Sequence, residues 1–92
     1  MLIPTCEAKN FEEFGFKRCK GAYGDLGCYY LCVAKGRKML FVSKNIFDIF
    51  DWCKDDPRIH KNPNCKYSDR RDYLDIIYDL IKAEMLQSHI MI

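Results

Sequence analysis

The stretch Cys28-Tyr29-Tyr30-Leu31-Cys32-Val33-Ala34 is rich in aromatic residues, and Gly27 precedes it. This composition is typical of a β-strand. The polar segment 35–38 predicts a turn, and Met39-Leu40-Phe41-Val42-Ser43 predicts the returning strand of a β-hairpin. Both strands are apolar on both faces, so we expect other elements to cover each side.

Helices are predicted on either side of this hairpin in the chain. Over about residues 45–54, apolar residues recur with the spacing of one helical face, and Asn45 and Asp48 resemble a capping box. A longer helix over about residues 69–87 would begin after Ser68 as its N-cap. A short helix is expected at Asn10–Phe14, with Asn10 as its cap, and the glycine-rich segment 21–27 is expected to be a loop.

The fold class predicted from these elements is α+β, in a single domain spanning residues 1–92. It would consist of a two-stranded hairpin, or a three-stranded sheet as the alternative, covered by two helices. Hydrophobic residues make up 49% of the 92 residues and aromatic residues 14%, which is enough for a packed core. A core of this size leaves a thin margin over chain entropy, so a metal ion or a disulfide would add useful stability.

The N-terminal sequence predicts a cytoplasmic protein. It lacks the basic and apolar regions of a secretory signal. The longest apolar run, Cys28 to Ala34, is too short to cross a bilayer, so no membrane association is expected. A reducing compartment favours free or metal-bound thiols over disulfides among the six cysteines.

A structural zinc site is predicted from four residues, Cys19, Cys53, His60 and Cys65. Zinc binds four ligands in a tetrahedron, with Zn–S distances near ~2.3 Å, so ligands must converge from loops and helix ends. Cys19 is preferred as the fourth ligand because nearby Lys and Arg side chains would favour its thiolate, and Cys28 is the alternative. The zinc would hold the irregular segment 55–67 against the Cys19 region. Unliganded thiols and disulfides remain alternative interpretations.

Catalysis is not expected, because no third residue can be named that would orient a Cys–His pair. The glycines between residues 21 and 27 lack the lysine and the strand–loop–helix setting of a phosphate-binding loop. The alternative function is a zinc-stabilised nucleic-acid-binding module, because basic and aromatic residues alternate along the chain. These residues are Lys17, Arg18, Lys20, Tyr23, Tyr29, Tyr30, Lys35, Arg37, Lys38, Arg58, Lys61, Lys66, Tyr67, Arg70 and Arg71. The net charge of only +2 makes this alternative weaker than protein binding.

In general character the chain resembles the small phage-encoded anti-CRISPR proteins that contain zinc and inhibit Cas9. The resemblance consists of one compact α+β domain, no export signal and the set Cys19, Cys53, His60 and Cys65. It implies a non-catalytic inhibitor that docks on a Cas9-type nuclease and blocks DNA engagement. The net charge of +2 departs from the strongly acidic members of that group, which mimic DNA. The resemblance therefore implies binding to a protein lobe of the nuclease.

Overall fold

The computed structural model describes residues 2–35, 37–53, 56–59 and 67–88. In chain order the elements are β1 (Leu2–Pro4), a 3-10 helix (Ala8–Phe14), β2 (Lys17–Arg18), α1 (Ala22–Asp25), β3 (Tyr29–Lys35), β4 (Lys38–Val42), β5 (Phe47–Asp51), β6 (Tyr67–Asp72), α2 (Tyr73–Lys82) and β7 (Leu86–Ser88). This mixture of helices and mainly antiparallel strands confirms the predicted α+β class.

The predicted hairpin is confirmed and forms the centre of a larger sheet. Strands β3 and β4 pair antiparallel from Tyr29–Val42 to Val33–Lys38. The main sheet has the order β2-β3-β4-β5, and β6 runs parallel to β3. Strands β1 and β7 form a separate antiparallel pair that joins the two ends of the described chain.

Both faces of the hairpin are covered, as its sequence predicts. Residues 29, 31 and 33 of β3 face a cluster that also contains Phe11, Ile76 and Leu80, from the 3-10 helix and α2. Residues 30 and 32 face a second cluster that includes Cys19 and Ile59. The period-two alternation of a strand therefore divides the hairpin between two cores.

The helix predicted over residues 45–54 is wrong, because the chain forms β5 there. The turn before β5 is closed by the Ser43 amide, which donates to the Ile46 carbonyl at 2.9 Å. β5 then pairs with β4 from Phe47–Val42 to Asp51–Lys38. A short apolar run is compatible with the periodicity of a helix or of a strand. Here the strand forms, because β5 supplies hydrogen-bond partners for the backbone groups along the open edge of β4. The second face is consequently covered by irregular segments around Cys19, Trp52 and Ile59.

The C-terminal helix is shorter than predicted. It begins after Asp72, not Ser68, because the Asp72 carboxylate accepts from the Asp75 amide at 3.0 Å and the Asp75 carboxylate accepts from the Asp72 amide. Residues 67–72 form β6. The helix ends at Lys82, and the positive φ of Glu84 (62°) redirects the chain into β7.

Near the N-terminus, the short helix is present but its predicted cap is wrong. The 3-10 helix begins after Glu7, so Asn10 lies inside it, and Gly15 ends it at a φ of 94°. The glycine-rich segment 21–27 contains α1, a single helical turn, where only a loop was expected. Within the described residues, no helix has the length and apolar character needed to cross a membrane.

Candidate functional site

Cys19 and Cys28 lie opposite each other where the pairing of β2 with β3 ends. Arg18 pairs with Tyr29, so the next position brings Cys19 opposite Cys28, and the Cys19 amide donates to the Cys28 carbonyl at 2.8 Å. Both thiols are free, and both residues pack in the second cluster. Cross-strand neighbours have Cβ atoms about 4.5–5.5 Å apart, more than the ~3.8 Å typical of a disulfide. This spacing suits two sulfurs bound to one ion.

Basic side chains near Cys19 were expected to favour its thiolate, but in the metal-free protein burial outweighs their effect on the pKa of Cys19. Cys19 is only 5% exposed. Burial, and then the neighbouring Cys28, raise the pKa of Cys19 from 9.0 to about 12, although Arg58 opposes them. A metal ion would have to displace this proton, which makes its binding depend on pH.

Of the other predicted ligands, one is exposed and two lie outside the described residues. Cys53 is exposed and follows β5 by two residues, so it does not end a helix. His60 and Cys65 lie outside the described residues. Within the described ranges, no group of three or more His, Cys, Asp or Glu residues is arranged to hold a metal ion. The zinc site with Cys19, Cys53, His60 and Cys65 therefore stays a prediction.

The segment 56–59 is anchored beside Cys19. The Lys20 amide donates to the Arg58 carbonyl at 2.8 Å. Ile59 is 3% exposed and packs in the same cluster as Cys19 and Cys28. The chain that precedes His60 is thus fixed next to the cysteine pair, and Cys28 becomes as good a candidate ligand as Cys19.

Arg58 is held in place by Asp56. Its Nε and one terminal nitrogen donate to the two carboxylate oxygens of Asp56 at 2.9 and 2.7 Å, and its backbone amide donates at 2.8 Å. The Arg58 guanidinium lowers the pKa of the Asp56 carboxyl below its ordinary value, mainly through the side-chain hydrogen bond. The pair is mostly buried, so the orientation of the guanidinium is fixed before any partner binds.

The Arg58 guanidinium also stacks on aromatic rings that come from three parts of the chain. Its central carbon lies 3.9 Å from the ring centre of Phe41, 4.7 Å from that of Phe50 and 5.9 Å from that of Tyr23. Phe41 and Phe50 themselves meet edge to face at 5.7 Å. A cation over the face of a ring is attracted by the ring quadrupole, so the three rings and the arginine form one rigid unit.

Large apolar side chains surround this unit and are open to solvent. Tyr23 is 44% exposed, Leu26 75%, Ile46 55% and Phe50 40%. We refer to these four residues together with Arg58 as the aromatic–arginine surface. Tyr23, Leu26, Ile46 and Arg58 line a cleft of about 260 Å³.

Gly24 allows α1 to approach the sheet and thereby positions Tyr23. A Cβ at Gly24 would lie 2.1 Å from the Cys19 carbonyl oxygen, which leaves no room for any side chain. The Gly24 carbonyl also accepts a hydrogen bond of 2.8 Å from Arg18 Nε. The glycine spacing in the sequence could have indicated this close packing, but a loop was expected instead.

Basic side chains proposed for nucleic-acid binding are partly engaged within the protein. Lys38 pairs with Asp51 at 2.5 Å and lies 5.7 Å from the ring centre of Tyr73. Arg58 pairs with Asp56. Lys17 and Arg18 are exposed on β2. The nucleic-acid alternative stays a prediction with fewer available cations than the sequence suggests.

Comparison of the chain with protein-family models, with curated proteins and with solved structures finds no match.

Proposed function

We propose that this chain is a non-catalytic protein-binding domain and that the aromatic–arginine surface is its binding site. The observation that carries the proposal is the fixed Arg58 guanidinium among three rings, surrounded by exposed Leu26 and Ile46. Arginine and aromatic residues are enriched among the side chains that contribute most to protein–protein binding. An exposed apolar patch with polar groups around it is typical of such interfaces.

The geometry also lowers the entropic cost of binding a partner. Asp56 already orders the Arg58 side chain, and the rings of Phe41 and Phe50 hold it from the other side. Less side-chain entropy is therefore lost on association than with a free arginine. The cleft between Tyr23 and Ile46 can accept an apolar side chain of the partner.

A second exposed stripe, on α2, provides a matched control. Leu74 is 58% exposed, Tyr78 65% and Ile81 39%. These residues follow one another at helical spacing, but none of the three lines the cleft or stacks with Arg58 in the described part of the chain. Substitutions there remove a similar apolar area without touching the aromatic–arginine surface.

Affinity capture with three forms of the chain tests this proposal. The forms are the wild type, the double variant Leu26→Ser/Ile46→Ser and the control Leu74→Ser/Tyr78→Ser. We expect a protein bound by the wild type and the control to be lost from the first variant, with all three forms equally folded by circular dichroism. Equal capture by all three, or loss only from the α2 control, would rule out this surface.

A narrower proposal is that the partner is a Cas9-type nuclease and that docking blocks DNA engagement. Its support is the resemblance described for the sequence, together with a surface suited to apolar contact and not to imitation of DNA. A target-cleavage assay with a purified Cas9–guide complex tests it. Excess wild-type chain should inhibit cleavage, and Leu26→Ser/Ile46→Ser should restore it. Full cleavage in the presence of the wild type rejects the Cas9 partner, while the capture experiment still tests the surface.

We further propose that a zinc ion supports this surface from beneath. Cys19 and Cys28 would supply two thiolates, and the remaining ligands would come from the predicted set of Cys53, His60 and Cys65. The ion would act structurally, by stabilising the segment that contains Arg58 against the sheet. Elemental analysis of the purified chain should find one zinc, reduced by Cys28→Ser but not by Cys32→Ala. A metal-free native protein would reject this proposal.

A further inference from the structure

A second cleft, of about 600 Å³, adjoins the first at Leu26. It is lined by residues 4–9, Arg18, the 26–27 turn, Tyr29 and the 44–45 turn. These segments come from the region after β1, from β2 and β3, and from the connection between β4 and β5. Its volume falls in the range of small-molecule sites, about 300–1,000 Å³.

Positive charge converges on this cleft from three segments. Lys9, Arg18 and Lys44 line it, and the acidic lining residue is Glu7. Within the described residues, no ion pair involves Lys9 or Lys44, although Glu7 lines the same cleft. Like charges gathered around a concave surface attract an anion into it.

Buried core residues form the floor of the cleft. Tyr29 is 7% exposed and Ala8 8%, and both belong to the first core cluster. Arg18 is positioned by the hydrogen bond from its Nε to the Gly24 carbonyl at 2.8 Å. A flat ring could lie on this floor while an attached anionic group meets the lysines at the rim.

From the cleft's shape and charge we infer that it binds a small organic anion, namely a phosphate monoester carried on a flat ring. Two lysines and an arginine match the double negative charge of a monoester, and the apolar floor distinguishes an aromatic ester from free phosphate. This inference does not depend on the protein-binding proposal. It rests on different residues, apart from Leu26, which contributes to both clefts.

Nuclear magnetic resonance titration of the full chain with 1-naphthyl phosphate tests the inference. Saturable shifts are expected for the amides of Cys6, Gly27 and Asn45, which line the cleft. Neither 1-naphthol nor inorganic phosphate alone should bind within tenfold of the ester. Lys9→Gln and Lys44→Gln should each weaken binding about threefold, the usual size of an exposed charge interaction.

Lys35→Gln is the matched control, because Lys35 is exposed on β3 and does not line the cleft. It should leave the affinity unchanged. The inference is overturned if no saturable shift occurs at these amides up to millimolar ester, if 1-naphthol binds as tightly as the ester, or if Lys35→Gln weakens binding as much as Lys44→Gln. Binding of an octathymidylate that shifts the Lys17 amide of β2, but not the amides of Cys6, Gly27 and Asn45, would also overturn it, in favour of a polymeric ligand.

Discussion

Replacing Cys19 with alanine is expected to make the free energy of unfolding less sensitive to alkaline pH. The folded state keeps the Cys19 thiol protonated, because burial raises its pKa from 9.0 to about 12. Unfolding exposes the thiol and restores its ordinary pKa. The contribution is therefore fully present below pH 9 and is lost as the pH rises toward 12.

The size of this loss follows from the two pKa values. At pH 10 the unfolded thiol is mostly ionised and the folded one is not, which lowers the free energy of unfolding by ~1.4 kcal/mol relative to pH 7. Other groups also titrate in this range, so the informative quantity is the difference between the wild type and Cys19→Ala. That difference should shrink by about 1.4 kcal/mol between pH 7 and pH 10.

Urea unfolding with a chelator and a phosphine reductant measures this difference in metal-free protein. Cys53→Ala is the matched control, because Cys53 is exposed, and it should retain the pH dependence of the wild type. If the wild type and Cys19→Ala lose the same free energy between pH 7 and pH 10, Cys19 is not buried as a neutral thiol. The geometry of the cysteine pair would then need revision.

Four further substitutions, one of them a control, test the packing described above. Gly24→Ala should lower the free energy of unfolding by about 1–3 kcal/mol, because the new Cβ would lie 2.1 Å from the Cys19 carbonyl oxygen; an unchanged urea midpoint would show that this approach is looser. Ile76→Ala, on the buried side of α2, should cost about 2–5 kcal/mol, whereas Leu74→Ala on its exposed side should stay within about 0.5 kcal/mol, and equal losses in urea would contradict the assigned faces. Asp56→Asn should destabilise the protein more at pH 6 than at pH 3, because Arg58 lowers the folded-state pKa of Asp56 and that contribution disappears as the carboxyl protonates; a constant difference across this range would argue against the ion pair.

The central hairpin could be predicted from the sequence because its signals are local. Residues 28–34 and 39–43 are apolar on both faces and are separated by a polar turn, and burial on both faces followed directly. The C-terminal helix was predicted for the same reason, since Ile76, Ile77 and Leu80 mark a buried face whatever the exact ends. Its start was misplaced because Ser68 and Asp72 are both good caps by residue type.

β5 could not be distinguished from a helix by pattern alone. Ile46, Ile49 and Phe50 have helical spacing, yet all three remain exposed, and Phe50 stacks with Arg58. Pairing with β4 decides that this segment is a strand. The pattern of the segment alone does not show this pairing, because it depends on the neighbouring strand as well.

The candidate site was largely beyond sequence reasoning. Cys19 and Cys28 were named as alternative ligands, but their cross-strand contact follows from the pairing of β2, a strand of only two residues. Arg58 was considered only as a basic residue. Its stacking joins positions 23, 41, 50 and 58, and no local pattern encodes such a contact.

The most direct test of the protein-binding proposal is the affinity of an identified partner for the three forms of the chain, measured by titration calorimetry. Loss of two exposed apolar anchors in Leu26→Ser/Ile46→Ser should weaken binding by at least about 2 kcal/mol, or roughly thirtyfold. Leu74→Ser/Tyr78→Ser should bind like the wild type. An unchanged affinity for the first variant, with loss of binding in the second, would move the interface to α2 and contradict the account.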